Sequence, residues 1–304
     1  MHVAVLGESA GWHVGRLAKA IRDRGHVVTV VGWSHLATEI EGASATAPRD
    51  RHEAGSERLM PEAIERADVI VVRGMPGGRL EDVIFRMDLL GRIAARGRPV
   101  VNSPRALEIA IDKYLSLAHM NAAGIPVPRT IVAQDAASIE AAWIALGRDA
   151  VVKPLFGSRG RGIERLASPE ALDPYIGAAT GATPAGAVCY LQEFIPHDGW
   201  DARLLVVGER VLAMRRRSQG DWRINVSSGA RPEPFSPPAA WVELARRSAA
   251  AVGAEIAGVD LLPASDGRAL VVEINAVPGW RGIETATGEN VASSIAAYLE
   301  SKRP

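Results

Sequence analysis

The first hundred residues switch repeatedly between two hydrophobic periods, and that alternation limits the possible folds more than any other feature of the 304-residue chain. Val3, Ala4, Val5 and Leu6 form a short apolar run that stops at Gly7. Val14, Leu17, Ala18 and Ile21 then recur at i, i+3, i+4 and i+7, one face of a helix that Gly25 ends. The same reading predicts strands over 27–31, 68–72 and 99–101 and a helix over 80–95. Strands alternating with helices predict an α/β chain that begins with a parallel sheet covered on both faces. The stretch 42–59 is small and polar with no period, and reads as an irregular loop.

Beyond residue 101 the pattern changes. Ser103 as N-cap and Pro104 at the first helical position predict one helix over 103–123, stopped by Gly124, Pro126 and Pro128. A strand at 131–132, a helix over 138–146 and a strand over 150–153 follow, then a loop over 178–186. Strand-like runs cover 188–194, 203–207, 210–214 and 254–262, with Gly208-Glu209 between the middle pair as a hairpin turn. A helix over 239–252, a strand over 270–275 and a helix over 290–299 complete the chain.

Composition removes several classes of function. Lys and Arg number 35 and Asp and Glu 35, so a broad basic surface for nucleic acid is not expected. The single cysteine, Cys189, sits among apolar neighbours and reads as a small core residue. No stretch of about 18 apolar residues occurs, and the N-terminal residues lack a basic start, so a cytoplasmic protein outside the membrane is expected. Gly7 and Gly11 lack the full dinucleotide-binding spacing, the seven histidines show no zinc spacing, and no Gly-x-Ser-x-Gly elbow is present.

Four groups of residues can carry chemistry, and each has a plainer reading beside it. Lys153 leaves a strand into a loop holding Gly157, Ser158, Gly160 and Gly162. Such glycines let backbone amides approach phosphate oxygens, but a basic surface hairpin has the same composition. Glu273 and Asn275 lie two apart on an apolar strand, hence on one face. With Asp260 on a neighbouring strand, three oxygen donors would suit Mg²⁺, or they are polar positions on a solvated sheet face. Arg215, Arg216 and Arg217, followed by Arg223 and Asn225, suit carboxylate or phosphate, or form a charged strand end. Gln192, Glu193, Phe194 and Ile195, with Asp201 and Arg203 after them, place a carboxylate where a ribose or exocyclic amine could bond, or are an ordinary strand end.

The order of these groups, from Asp112-Lys113 to Glu273-Ile274-Asn275, resembles the ATP-grasp superfamily, and within it the RimK-like glutamate ligases. Asn102-Ser103-Pro104, Val151-Val152-Lys153, the run from Ala257 to Asp260, and the stretches 273–279 and 282–288 carry the likeness. The resemblance implies an N-terminal pre-ATP-grasp domain over 1–101. A two-part ATP-grasp domain with antiparallel sheets would follow, over 102–187 and 188–304. It implies an ADP-forming ligase that makes an amide through an acyl phosphate, with ATP and Mg²⁺ (or Mn²⁺). The substrates would be an amino acid, glutamate, and a carboxylate-bearing acceptor, either a pterin- or deazaflavin-type cofactor or a protein C-terminus. Another amino acid, or a non-catalytic ATP-binding regulator, are the alternatives, the second disfavoured because both lysines and the metal set are intact.

By the same resemblance, Lys113 and Lys153 contact the phosphates, and the loop with Gly157, Ser158, Gly160 and Gly162 closes over them. Gln192, Glu193, Phe194 and Ile195 line the adenine edge, Asp201 bonds the ribose, and Arg223 and Asn225 lie near the nucleotide or the substrate carboxylate. Asp260, Glu273 and Asn275 hold the metal, while Arg203, Arg215 and Arg216 serve catalysis. Relatives carry a basic or bulkier segment after the position of Asn225, where this chain has Val226-Ser227-Ser228-Gly229-Ala230. That segment, the loop around Trp200 and the N-terminal domain are expected to shape the acceptor site. A homo-oligomer, dimer or tetramer, is expected on the same ground.

Overall fold

A computed structural model describes residues 1–40, 57–157, 162–180, 188–218, 220–224 and 229–302. Ser158, Gly160, Asn225 and the segment 226–228 lie outside the described residues. The chain gathers into two units, Met1–Arg105 with Asn290–Pro304, and Ala106–Glu289.

The first unit contains β1 (His2–Leu6), α1 (Trp12–Asp23), β2 (Val27–Val31), β3 (Ala37–Ile40), β4 (Glu57–Met60), α2 (Glu62–Glu65), β5 (Val69–Val72), α3 (Leu80–Ala95) and β6 (Val100–Val101). Its main sheet is parallel, in the order β2-β1-β5-β6. The two central strands are apolar and almost wholly buried, as a sheet covered on both faces requires. On α1 the buried positions include Val14, Leu17, Ala18 and Ile21, the face predicted by their spacing. The stretch read as a loop over 42–59 is not all irregular, because β4 pairs antiparallel with β3.

The boundary between the units falls in α4 (Pro104–Ile111), which α5 (Lys113–Ala122) follows. The single helix expected over 103–123 is therefore two. Asp112 breaks it: its backbone is extended, with φ −93° and ψ 113°, and its carboxylate accepts from the amides of Tyr114 and Leu115 at 2.8 and 3.0 Å. An aspartate offering that cap starts a new helix.

The second unit holds two antiparallel sheets. β7 (Thr130–Ala133), α6 (Ala136–Ala145), β8 (Ala150–Lys153), β9 (Glu164–Leu166), α7 (Asp173–Ala179) and β10 (Cys189–Glu193) build the first, in the order β7-β10-β8-β9. Its core packs Ile139 and Trp143 of α6 against Val152, Leu166 and Leu191. β10 thus pairs with the strands before it, although the division at 187/188 would group it with those after. β11 (Trp200–Val207), β12 (Arg210–Arg217), β13 (Arg231–Pro234), α8 (Ala239–Ala251), β14 (Ile256–Pro263), β15 (Ala269–Asn275) and α9 (Arg281–Thr287) build the second. Its order is β13-β12-β11-β14-β15. The final helix, α10 (Val291–Glu300), groups with the first unit, where it packs on α1. Its Glu300 takes a bidentate pair from Arg24 at 2.7 and 2.6 Å and a further bond with His26 at 2.8 Å. No helix among the described residues is long and apolar enough to cross a membrane.

Candidate functional site

In the second unit, an open cleft lies between the two sheets, with about 680 Å³ of empty space including solvent at its mouth. Ten of the residues singled out from the sequence line it. Lys153, Gln192, Glu193, Phe194 and Ile195 come from β8, β10 and the segment after it, and Asp201, Arg216, Arg223, Asp260 and Glu273 from β11 onward.

The charged end is built by strand register. The two-residue turn Gly208-Glu209 sets Val207 opposite Arg210, and counting back along the hairpin sets Asp201 opposite Arg216. Across the next pairs, Arg203 faces Asp260 and Asp260 faces Glu273. Directly opposed residues share a face, so five ionisable side chains project from one side of the sheet. Arg203 donates Nε and Nη2 to the two oxygens of Asp260, both at 2.7 Å. Arg216 forks onto Asp201, with Nε to Oδ1 at 2.7 Å, and its Nη2 also reaches Asp260 at 3.0 Å. Burial works against the charge of Asp260, but Arg203 and Arg216 overcome it and hold the carboxyl at about 2. Burial also opposes the charge of Arg216, and the two carboxylates reverse that and raise its pKa above the ordinary arginine value.

Beside this network, Lys153 donates to Gln192 Oε1 at 2.6 Å. The amide group of Gln192 donates to Thr130 Oγ1 at 3.0 Å and Tyr190 Oη at 3.2 Å, so its orientation follows from its partners. Gln192 is buried and serves as a bracket for the lysine. Burial lowers the Lys153 ammonium to about 8; Glu273 opposes that shift and Lys113 adds to it. Lys113, at the start of α5, reaches the carbonyl of Gly157 at 2.9 Å. At the far end of the loop Gly162 has φ +68°, and a Cβ there would meet Pro154 Cγ at 2.9 Å, so glycine is required.

The other end of the cleft is apolar and aromatic. Phe194 packs edge-on against Trp222, with ring centroids 5.8 Å apart, and Arg165 stacks over Phe194 at 3.5 Å. Trp222, His197 and Arg165 were not singled out from the sequence. Trp222 and His197 line the cleft, and the position of Trp222 beside Arg223 was the available signal. Arg223 bonds Asp221, two residues before it in the same segment.

One expected residue points away from the cleft and others hold partners of their own. Arg215 neighbours Arg216 on β12 and so projects from the opposite face. There it pairs with Glu233 at 2.9 Å and lies over Trp200, which packs with Phe235 and Trp241. Arg215 therefore does not share the cleft face with Arg216, and Trp200 lies with it on the opposite face. Glu193 accepts from the Arg129 amide at 2.9 Å. Asn275 shares the face of Glu273, but its Oδ1 accepts from the Val277 amide at 2.8 Å and so shapes the turn after β15.

Two carboxylates and an amide oxygen on one face are hard donors that suit a divalent cation. Glu273 is half-buried and receives no hydrogen bond from a described residue. Among the described residues no three of His, Cys, Asp and Glu gather into one cluster. Asp260, Glu273 and the Asn275 amide are the oxygen donors this face offers, a donor type that suits Mg²⁺, with Asp260 already engaged by Arg203 and Arg216.

The RimK-like ATP-grasp domain family matches residues 110–299. Over 261 residues the chain is 32% identical to the tetrahydromethanopterin:alpha-L-glutamate ligase of Methanosarcina acetivorans, covering 77% of this chain and 80% of the relative. Over 305 residues it is 30% identical to a probable alpha-L-glutamate ligase of Teredinibacter turnerae, covering 99% and 95%. In fold it is similar to the ATP-grasp ligase PsnB in complex with a minimal precursor, at TM-score 0.76, 23% identity and 99% of both chains. A second PsnB structure, with Mg and ADP, matches at TM-score 0.75, with 22% identity over 99% of this chain and 97% of that one.

Proposed function

As a member of the RimK-like ATP-grasp family the chain is an ADP-forming carbon–nitrogen ligase, and we propose that it joins L-glutamate to the carboxylate of a small cofactor or a protein C-terminus. One observation carries the site reading: Lys153 and Glu273, an ammonium and a carboxylate that no described residue hydrogen-bonds, line one cleft whose other end is aromatic. That polarity fits a nucleotide with its base against Phe194 and Ile195 and its phosphates toward Lys153 and Lys113. The names of the glutamate ligases similar to this chain, one of which acts on tetrahydromethanopterin, support the choice of amino acid and of a pterin-type acceptor.

The reaction has two displacements. An acceptor carboxylate oxygen attacks the γ-phosphorus, the bond to ADP breaks, and an acyl phosphate forms. The glutamate amine attacks the acyl carbon, phosphate leaves, and the nitrogen loses a proton. Mg²⁺ held by Asp260, Glu273 and Asn275 would neutralise the phosphate oxygens. Arg216 and Arg203 offer fixed cationic donors to the charge that develops on the phosphoryl oxygens. The test is ADP release with a panel of amino acids and acceptors. Release that requires glutamate together with a carboxylate acceptor is the expected result. Release with another amino acid alone would replace glutamate, and tight ATP binding with no release by any pair would indicate a regulator.

Lys153 gives this site a pH dependence. Its pKa in the free protein is about 8, below the ordinary lysine value, because burial disfavours its charge. An anionic phosphate favours the charged form and raises that pKa. ATP affinity is therefore greatest below pH 8 and falls as pH rises through 8 and above, where binding must also take up a proton. Calorimetry at pH 7 and pH 9, in buffers of different ionisation enthalpy, checks both the loss and the proton uptake. Lys153→Arg, which stays protonated, should flatten the profile. Equal wild-type affinity at the two pH values would count against Lys153 as a phosphate ligand.

A further inference from the structure

We propose that Asp201 is a positioning residue, which clamps Arg216 against Asp260 and does not meet the ribose of the nucleotide. This rests on the ATP-ligase reading above. The Asp201 side chain is 7% exposed although it borders the cleft. Both its oxygens are engaged by one guanidinium, Nε of Arg216 on Oδ1 at 2.7 Å and Nη2 on Oδ2. Arg216 is itself 4% exposed. Its Nη2 extends past β11, which lies between β12 and β14, to reach Asp260. Arg203, on β11 directly opposite, donates to both oxygens of Asp260.

The four side chains carry two positive and two negative charges and sum to zero. Removing any one leaves a buried charge uncompensated, which holds the set together more firmly than the net worth of any pair. A bidentate fork also fixes the guanidinium plane, where a single contact would allow it to turn. Arg216 is then a donor already in place when charge develops on a phosphoryl oxygen, with no reorganisation left to do. For Asp201 to bond a ribose, a carboxylate that is 7% exposed would have to become more accessible. The aromatic end of the cleft requires no such change.

Asp201→Asn keeps the side-chain volume and turns one acceptor into a donor that opposes Arg216. The experiment measures the affinity of wild type and variant for ATP, 2′-deoxy-ATP and 3′-deoxy-ATP with Mg²⁺, by calorimetry, and kcat for ADP release. The expected result is an unchanged ratio of ATP to deoxy-nucleotide affinities, with kcat lower by about 10²-fold from the misplaced donor. Asp201→Glu, which keeps the charge but not the reach, should behave the same way and serves if the amide variant does not fold. Loss of the wild-type preference for ATP over the deoxy nucleotides, with kcat retained, would make Asp201 a ribose ligand and overturn the proposal. A wild type that binds none of the three nucleotides is a separate result, which overturns the ligase reading and this role with it.

Discussion

Glu273→Gln should reduce kcat for ADP release by about 10²–10³-fold at saturating Mg²⁺ and ATP, with the melting temperature unchanged. The two halves of that expectation come from one geometry. Glu273 stands opposite Asp260 on the cleft face, half-buried, and receives no hydrogen bond from a described residue. Neutralising it breaks no described contact, so the change in stability should stay within about 0.5 kcal/mol. Its charge, however, counters the burial of Lys153 and supplies oxygens for a divalent cation. The pKa of Lys153 should also fall below its present value of about 8, so the alkaline limb of ATP binding moves to lower pH. A thermal melt beside the ADP assay checks the pair. Undiminished turnover would remove Glu273 from the site, and a lowered melting temperature would make it structural.

The opposite balance is expected at Arg216. Truncation to Ala leaves Asp201 buried without its guanidinium and removes one of two from Asp260. Breaking a buried pair in this way costs about 3–5 kcal/mol, and for a unit of this size roughly 6–20 °C in melting temperature. Arg215→Ala, one residue earlier, is the control. Its pair with Glu233 is about one-third exposed and faces away from the cleft, so a loss of about 1 kcal/mol or less is expected. Adding Asp201→Asn to the Arg216→Ala variant should recover part of the lost stability, because it removes the uncompensated charge. Equal melting temperatures for the Arg215 and Arg216 variants would show that the buried network does not hold this sheet together.

Much of this fold is legible in the sequence, for identifiable reasons. β1, β2 and β5 followed from short apolar runs, which the structure buries almost wholly in β1 and β5, and α1 and α3 from helical spacing of their buried residues. The cleft face of the second sheet was legible in principle from the Gly208-Glu209 turn, since a two-residue turn sets every later pairing of the hairpin. Which partner each charge takes was not. Asp201 and Arg216 are neighbours by register, but only the packed side chains show that both carboxylate oxygens are engaged. The break at Asp112 was hidden because the residues on either side of it, Ala106 to Ile111 and Lys113 to Ala122, both favour helix, and a cap is a local competition that period does not detect. β9 and β13 escaped because three or four residues, mostly polar or proline, carry too little alternation to register.

The placement of α10 has a consequence for how the chain is made. Val291, Ala292, Ile295, Ala296 and Leu299 are fully or almost fully buried, and the helix packs on α1, near the other end of the chain. The unit that contains β1 therefore cannot complete its core until residue 299 has left the ribosome. At about 5–20 residues per second, the intervening stretch of Ala106–Glu289 takes roughly 10–40 s to synthesise. Through that interval α1 lacks the helix that packs on it, and by its end the second unit has all the residues of both its sheets. Translation order and folding order are thus inverted: the unit begun first is finished last.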